Sequence, residues 1–490
     1  MNKQVSVKKN FIMNAILTMS SFIFPLITFP YVSTILSPSG YGVVQFALSV
    51  VTYFTMISQL GIPTYGIRAC AQVRDDKEAL SRTVHELLFI SIIMSFISYI
   101  LFFIALFTIP RLEQEKVLFF IVSFSILFSC IGMEWLYKGL EQYSYITYRS
   151  LFFKIIGIVL MFLFIHSKED YVFYGFIAVF SGFASNIMNL INSRKYIQYK
   201  NLGDYHFKKH LKPIGIFFAM SVATTVYTHL DSVMLGFMKT DSDVGYYNAA
   251  IRIKVILVSV VTSLGAVLLP RASYYYENDD FKAFENITKK ALTFVLLLAI
   301  PLMIYFILFA REGIYFLSSG EYTNSIQPMQ ILMPTLLLIG LTNIMGIQIL
   351  VPIGKEKYVL YSVFAGAITD FIINLILIPS MAASGAAMGT LIAEFMVWVV
   401  QIYFTKEYVG EVYKKFHYIS IGVAILIASV ASISIRNFHF VSSLRMNSFI
   451  ILSLSSIIFF GIYGMILTIR KEPMVIELEN QLLSRFKKGE

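Results

Sequence analysis

The stretch LGIPTYGIRACAQVRDDKEA at residues 60–79 recurs in degenerate form as LGAVLLPRASYYYENDDFKA at residues 264–283. In both stretches a Leu-Gly pair is followed by an Arg, an Asp-Asp pair and an Ala, and the two pairs and the Ala share an offset of 204 residues. Upstream, GVVQFA at 42–47 matches GYYNAA at 245–250 at an offset of 203. Several matches at nearly one offset indicate an internal repeat, so two related halves are expected.

The chain around these stretches is strongly apolar. Its 490 residues are 57% hydrophobic and 14% charged, and the mean hydropathy is +0.72. A soluble fold cannot hide that much apolar surface, whereas about 20 apolar residues suffice for one transmembrane helix. The apolar runs are continuous and lack the alternation of barrel strands. We therefore expect an all-α, polytopic membrane protein with about 14 transmembrane helices, and exclude a water-soluble enzyme and a disordered chain.

The repeat offset covers six predicted spans, so equivalent helices run in the same direction through the membrane. This predicts an N-terminal six-helix lobe at 1–195, a basic cytoplasmic linker at 196–212, a C-terminal six-helix lobe at 213–408, and two extra helices with a cytoplasmic tail at 409–490. Two lobes around a central cavity are typical of transporters. His206 and His210 belong to the linker, which we expect to be mobile and to bind no metal.

The distribution of Lys and Arg predicts the orientation. With the N-terminus inside, the inner segments hold 30 of the 39 basic residues and the outer segments hold 7. Both termini are therefore expected in the cytoplasm, without a cleaved signal peptide. The net charge of +10 then reflects membrane orientation, and no nucleic-acid partner is expected.

Polar side chains follow one face of several predicted spans. The seventh span carries such a stripe that ends at Asp231, and the eighth span carries one that includes Arg252. These stripes indicate either tight helix packing or the lining of a cavity. We expect Arg252 to face a cavity or to pair with Asp231. Lys254 points about 200° away around the helix, so we expect it at the membrane interface.

Further charged residues within or beside the spans are candidates for binding and coupling. The buried carboxylates must pair, bind a proton or bind a cation, which predicts an ion pair or coupling to H⁺ or Na⁺ at Asp231, Asp370 and Glu394. Positive charges are expected at an inner mouth of the cavity, or alternatively as membrane anchors, at Lys138, Arg149, Lys154, Arg68 and Arg271. Glu134 and Lys138 are also spaced for an intrahelical ion pair.

Motifs that the sequence lacks exclude other functions. No phosphate-binding loop of the GxxxxGK[ST] type is present, so an ATP-driven pump is not expected. No outer loop is long enough to hold a catalytic site, which argues against the alternative of a membrane-bound glycan polymerase or ligase. A cation-coupled multidrug exporter is a second alternative, favoured by Asp231 and opposed by Arg252.

Six stretches resemble the Wzx-type polysaccharide flippases of the multidrug and oligosaccharide exporter superfamily. They are GMEWLYKGLEQYSYITYRSLFFKIIGIVLMFLFI at 132–165, PIGIFFAMSVATTVYTHLDSVMLG at 213–236, VGYYNAAIRI at 244–253, LLPRAS at 268–273, SSGEYTNS at 318–325 and NLILIPSMAASGAA at 374–387. The resemblance implies a MATE-like fold and a flippase, not an enzyme. Such a flippase moves undecaprenyl-pyrophosphate-linked oligosaccharides across the bacterial cytoplasmic membrane, beside glycan polymerase machinery. It also implies that Arg252, Arg149 and Lys154 meet the anionic substrate.

Overall fold

The computed structural model describes residues 7–415 and 418–477. Every regular element in these ranges is helical, which confirms the all-α prediction. Within them, 11 helices are long and apolar enough to cross a membrane, or up to 12 if one bent pair counts as a single span. The chain is therefore a multi-pass membrane protein.

Two helices are far longer than a bilayer requires. Helix α1 (Val7–Gln59) has 53 residues and α16 (Glu356–Lys415) has 60, and at about 1.5 Å per residue each exceeds twice the roughly 30 Å hydrocarbon core. Each contains one break, at Ser37 (φ 61°) and at Ala382 (φ 46°). If each crosses the membrane twice, the total rises from 12 to 14 spans, and that count stays a prediction.

The chain forms two compact units, Met1–Gly245 and Tyr246–Glu490, called unit 1 and unit 2 below. The predicted division into two six-helix lobes with a linker at 196–212 follows from the sequence repeat, and it stays a prediction. Besides α1, the helices of unit 1 are α2 (Ile62–Gln72), α3 (Lys77–Thr108), α4 (Pro110–Glu113), α5 (Lys116–Ile131), α6 (Glu134–Gly139), α7 (Tyr143–Phe164), α8 (Tyr171–Val179), α9 (Ser185–Ser193) and α10 (Lys208–Met238).

Helix α11 (Asp241–Glu277) begins in unit 1 and continues into unit 2. Unit 2 then contains α12 (Phe281–Leu308), α13 (Ala310–Leu317), α14 (Ile326–Leu332), α15 (Thr335–Asn343), α16, α17 (Tyr418–Ile433) and α18 (Leu444–Ile469). Its apolar core is built mainly by α12, α17, α18 and the helical segment Ile344–Leu350 that follows α15. In unit 1, α1 packs against α3, α5, α7 and α10.

The repeated Asp-Asp pair has a structural role in both halves. Its second Asp precedes a long helix each time. The carboxylate of Asp76 accepts hydrogen bonds from the backbone N–H groups of Glu78 (2.9 Å) and Ala79 (3.1 Å), and caps α3. The carboxylate of Asp280 accepts one from the N–H of Ala283 (3.1 Å), and caps α12. Such caps satisfy N–H groups that the first helical turn leaves without partners.

Candidate functional site

Lys154 lies midway along α7 and contacts α1. Its Nζ donates hydrogen bonds to the hydroxyls of Ser20 (2.8 Å) and Ser21 (3.1 Å) and lies 5.7 Å from the ring centroid of Phe24. In the part of the chain that the structure describes, Lys154 makes no ion pair with a carboxylate. Neutral hydroxyls are weak acceptors for an ammonium, so an anion that reaches this position can bind it more strongly.

Arg149, one and a half turns nearer the start of α7, has a different environment. Its guanidinium is buried and donates to the Ser185 carbonyl and the Asn186 side-chain oxygen (both 3.1 Å) and to Glu134 Oε2 (3.3 Å). Glu134 also pairs with Lys138 at 2.8 Å. The three side chains form one charge network between α6, α7 and α9, in which Arg149 is held by protein groups.

The other basic candidates are separate from this network. Arg68 on α2 and Arg271 near the end of α11 are exposed, and Arg252 is half-buried in unit 2. Lys254 is buried, with 9% of its surface exposed. The expectation that Lys254 lies at the membrane interface is therefore wrong, because the folded protein covers its side chain.

The carboxylates Asp231, Asp370 and Glu394 are all buried. In unit 2, Asp370 Oδ1 accepts a hydrogen bond from Asn374 Nδ2 (3.2 Å). Gly389 lies directly against this pair, since a Cβ there would come within 2.1 Å of Asn374 Oδ1 and 3.0 Å of Asp370 Oδ1. One residue on, Thr390 is hydrogen-bonded to the Tyr247 hydroxyl (2.9 Å). A buried polar cluster thus lies between the two halves of α16, beside α11.

The start of α10 is fastened by a buried network that the sequence did not predict. Glu86 on α3 is fully buried and accepts from the His206 backbone N–H (2.5 Å), His210 Nε2 (2.7 Å) and Lys209 Nζ (2.8 Å). The Tyr65 hydroxyl contacts His210 Nδ1 at 2.7 Å. We call these residues the Glu86 node. His210 is therefore not part of a mobile loop, because Glu86 and Tyr65 hold both of its ring nitrogens.

The opposite end of unit 1 is closed by close backbone packing and an ion pair. Arg111 pairs with Asp241, donates to the Gly236 carbonyl (3.0 Å) and lies over the Phe46 ring. A Cβ on Gly42 would come within 1.8 Å of the Asp241 carbonyl oxygen. We call this the Ser37 end, after the break in α1. Only glycine at residue 42 allows α1 to approach the α10–α11 corner so closely.

These contacts have only weak signals in the sequence. Glu86 lies just before the long apolar run of α3, and Arg111 lies in the short segment between two predicted spans. Both patterns also fit exposed residues at the ends of membrane helices. Their partners are more than 100 residues away along the chain.

Comparison with known proteins places the chain among membrane transporters. A family model described as "Polysaccharide biosynthesis protein" matches residues 7–276, more than half of the chain. A second, described as MatE, matches residues 217–376. A protein of Escherichia coli strain K12 named "Putative O-antigen transporter" is 23% identical over 406 residues, which cover 82% of this chain and 98% of that protein.

Further matches agree with these. The "Probable low-salt glycan biosynthesis flippase Agl15" of Haloferax volcanii is 23% identical over 202 residues, covering 41% of this chain and 42% of the relative. Among solved structures, "Lipid II flippase MurJ, inward closed conformation" is 18% identical, has a TM-score of 0.73, and covers 93% of this chain and 100% of its own. An inward-facing MATE family multidrug transporter is 14% identical, with a TM-score of 0.59, and covers 83% and 99%. These similarities confirm the predicted MATE-like fold.

Proposed function

Since this chain belongs to the polysaccharide biosynthesis protein family, whose model matches residues 7–276, we propose that it is a flippase for lipid-linked oligosaccharides. It moves undecaprenyl-pyrophosphate-linked repeat units across the bacterial cytoplasmic membrane for surface polysaccharide synthesis, and it catalyses no covalent step. The names of its relatives in Escherichia coli and Haloferax volcanii, an O-antigen transporter and a glycan biosynthesis flippase, support this substrate class.

The environment of Lys154 is the observation that carries the proposal. A pyrophosphate brings about two negative charges, which cannot enter hydrocarbon without a partner. Among the described residues, the hydrogen-bond acceptors of the Lys154 ammonium are the neutral hydroxyls of Ser20 and Ser21, so a phosphate oxygen replaces a weak acceptor with a strong one. Arg149 already has Glu134, Ser185 and Asn186 as acceptors. We therefore assign substrate binding to Lys154 and a positioning role to Arg149.

The remaining basic candidates are also assigned to the path of the anionic substrate. Arg252, in unit 2, is also assigned to substrate binding, because a planar guanidinium binds phosphate in a bidentate manner. Arg68, Arg271 and Lys138 are assigned to the inner mouth. Both termini and the Glu86 node lie on the cytoplasmic side in this proposal, and the Ser37 end is outside, as the distribution of Lys and Arg supports. A glycan polymerase is the expected partner on that outer side.

Coupling to H⁺ or Na⁺ supplies the driving force in this proposal. The Asp370–Asn374–Thr390 cluster offers oxygen ligands in a buried position, and hard cations prefer such ligands. Asp231 and Glu394 are two further buried carboxylates. No other cofactor is proposed. Asp231→Asn distinguishes a structural ion pair from a coupling site. Loss of an ion-pair partner lowers the melting temperature, whereas loss of a coupling site abolishes only the dependence of transport on the ion gradient.

Transport in proteoliposomes tests the proposal. Fluorescent undecaprenyl-pyrophosphate oligosaccharide is placed in the inner leaflet, and its arrival outside is followed by quenching. Lys154→Ala is expected to slow transport about ten- to a hundredfold, the loss of one charge-assisted hydrogen bond. Lys116→Ala, which removes an exposed charge at the Ser37 end, is the matched control. A wild-type protein that leaves the lipid in place contradicts the function, and equal rates for both variants contradict the role of Lys154.

A cation-coupled multidrug exporter is the second candidate. The MatE match over residues 217–376 and the buried carboxylates favour it. Such an exporter transports a lipophilic cation such as ethidium, which Lys154 and Arg252 repel. Gradient-driven ethidium efflux from the same proteoliposomes, without movement of the lipid-linked glycan, decides for the exporter.

A further inference from the structure

The Ser37 end of unit 1 contains a cleft of about 300 Å³. Four parts of the chain meet there: the break in α1, the start of α5, the residues before α8 and the start of α11. The side chains that line it are mostly polar: Leu36, Ser37, Ser39, Gly40, Val43, Glu115, Lys168, Glu169, Tyr171 and Asp241. A volume of this size is at the lower end of the range for small-molecule sites, roughly 300–1,000 Å³.

The charges around the cleft restrict what it binds. Three carboxylates, Glu115, Glu169 and Asp241, and one ammonium, Lys168, line the cleft, and the Arg111 guanidinium pairs with Asp241. One negative charge is therefore left in excess. Among the described residues, no three His, Cys, Asp or Glu side chains are close enough to hold a metal ion. The carboxylates are therefore spread around the cleft and do not converge on one point. A phosphate is repelled by this excess of one negative charge, and an apolar ligand finds few partners.

The hydrogen-bonding groups are those that a polyhydroxylated ligand uses. The carboxylates offer acceptors, Lys168 offers donors, and serine hydroxyls both donate and accept. Tyr171 donates its hydroxyl proton to Glu115 Oε2 at 3.0 Å, which fixes its ring at the wall of the cleft. A sugar presents hydroxyls in several directions and an apolar ring face, so it matches a wall that combines acceptors, donors and an aromatic edge.

We propose that this cleft is a binding site for one sugar residue of the exported glycan, either uncharged or bearing an amino group. The proposal rests on the proposed function and adds a second contact point to it. Lys154 holds the pyrophosphate midway along α7, whereas the cleft holds a sugar at the Ser37 end and excludes phosphate. The glycan is thereby recognised by its sugars as well as by its lipid-borne charge.

Saturation-transfer NMR on the full-length protein in nanodiscs tests the site. The probes are methyl glucoside, methyl glucosaminide, methyl glucuronide, methyl phosphate and ethanolamine. The variants are Ser39→Phe, which fills the cleft, and Glu169→Gln, which removes one exposed negative charge. Glu113→Gln is the matched control, because Glu113 is an exposed carboxylate at the same end and does not line the cleft.

The glucoside and glucosaminide are expected to bind, and the glucuronide and methyl phosphate are not. Ser39→Phe is expected to abolish the sugar signals. Glu169→Gln is expected to weaken the glucosaminide about two- to fivefold, the effect of one exposed charge pair. Binding of ethanolamine equal to that of glucosaminide, binding of the anionic probes equal to that of glucoside, or unchanged sugar binding in both variants overturns the proposal.

The proteoliposome assay separates this result from the proposed function. A wild-type protein that moves lipid-linked glycan but binds no sugar in the cleft contradicts the cleft alone. Failure to move the glycan contradicts the function itself. Because Glu169 is exposed, its variant keeps the test valid if Ser39→Phe fails to fold.

Discussion

Replacing Glu86 by Ala removes the acceptor that fastens the start of α10. Three donors lose their partner: the His206 N–H, His210 Nε2 and Lys209 Nζ. The Lys209 side chain is 48% exposed and regains water, whereas the His210 side chain is 3% exposed and does not. A buried donor without a partner costs about 1–3 kcal/mol, so the variant is expected to lose about 2–5 kcal/mol of unfolding free energy.

Scanning fluorimetry measures this loss, because Trp135 belongs to the same apolar cluster as Ile62 and Val84, beside the Glu86 node. In a unit of this size each kcal/mol shifts the melting temperature by about 2–4 °C, so we expect a fall of roughly 5–15 °C. Glu78→Ala is the matched control on α3. Glu78 makes an exposed pair with Arg82 at 3.0 Å, and such pairs contribute about 0.5 kcal/mol.

The rate of trypsin cleavage is a second measurement, and destabilisation at another site does not change it in the segment before α10. The segment between α9 and α10 contains Arg194, Lys195 and Lys200, and its Gln198 N–H donates to Ser81 Oγ at 2.9 Å. Loss of the node is expected to speed cleavage there about tenfold or more under native conditions. Two results together would refute this reasoning. The Glu86→Ala protein would melt within 2 °C of the Glu78→Ala control, roughly the shift from 1 kcal/mol, and its segment between α9 and α10 would resist trypsin equally well.

Further predictions concern the opposite end, the substrate path, the coupling ion and the topology. Gly42→Ala places a Cβ 1.8 Å from the Asp241 carbonyl oxygen and should lower the free energy of unfolding by about 1–3 kcal/mol. A Cβ on Gly461 meets nothing within 4 Å, so Gly461→Ala should stabilise α18 by up to about 1 kcal/mol. Equal melting temperatures of the two variants contradict this prediction. Arg252→Ala should abolish glycan transport and Arg252→Lys should restore it only in part, so full activity of the alanine variant removes Arg252 from the path. Asp370→Asn should fold normally and transport without dependence on the ion gradient, and retained dependence argues against coupling there. Alkaline phosphatase fused after Thr240 should be active and after Tyr205 inactive, and the reverse pattern inverts the topology.

The sequence was sufficient to predict a membrane protein with a helical fold. Mean hydropathy is a sum over many residues, so the prediction does not depend on any single contact. The internal repeat was also visible, and the structure supplies a reason for its most regular part: Asp76 and Asp280 cap the helices that follow. Capping acts between residues two or three apart, so its signal remains in the local sequence.

The contacts that fasten unit 1 were not predictable in the same way. Lys209 and His210 have the composition of a solvated basic loop, and only the folded chain brings Glu86, more than 120 residues earlier, against them. The burial of Lys254 was also not predictable from the sequence, although its position on the helix was. Helical spacing gives the angle between Arg252 and Lys254, but the helices that pack around α11 decide which of the two is covered.

The break at Ser37 also affects how the protein is made. Helical segments run up to it from both sides, and Pro38 follows at once, so no hydrophilic loop separates the two halves of α1. Residues 10–59 contain no charged side chain, so the membrane-insertion machinery meets no charged stop between the two halves. If each half of α1 crosses the membrane, as the 14-span prediction requires, the two halves enter the bilayer together as a hairpin. An epitope or protease site inserted at this turn would then block biogenesis before it reported topology.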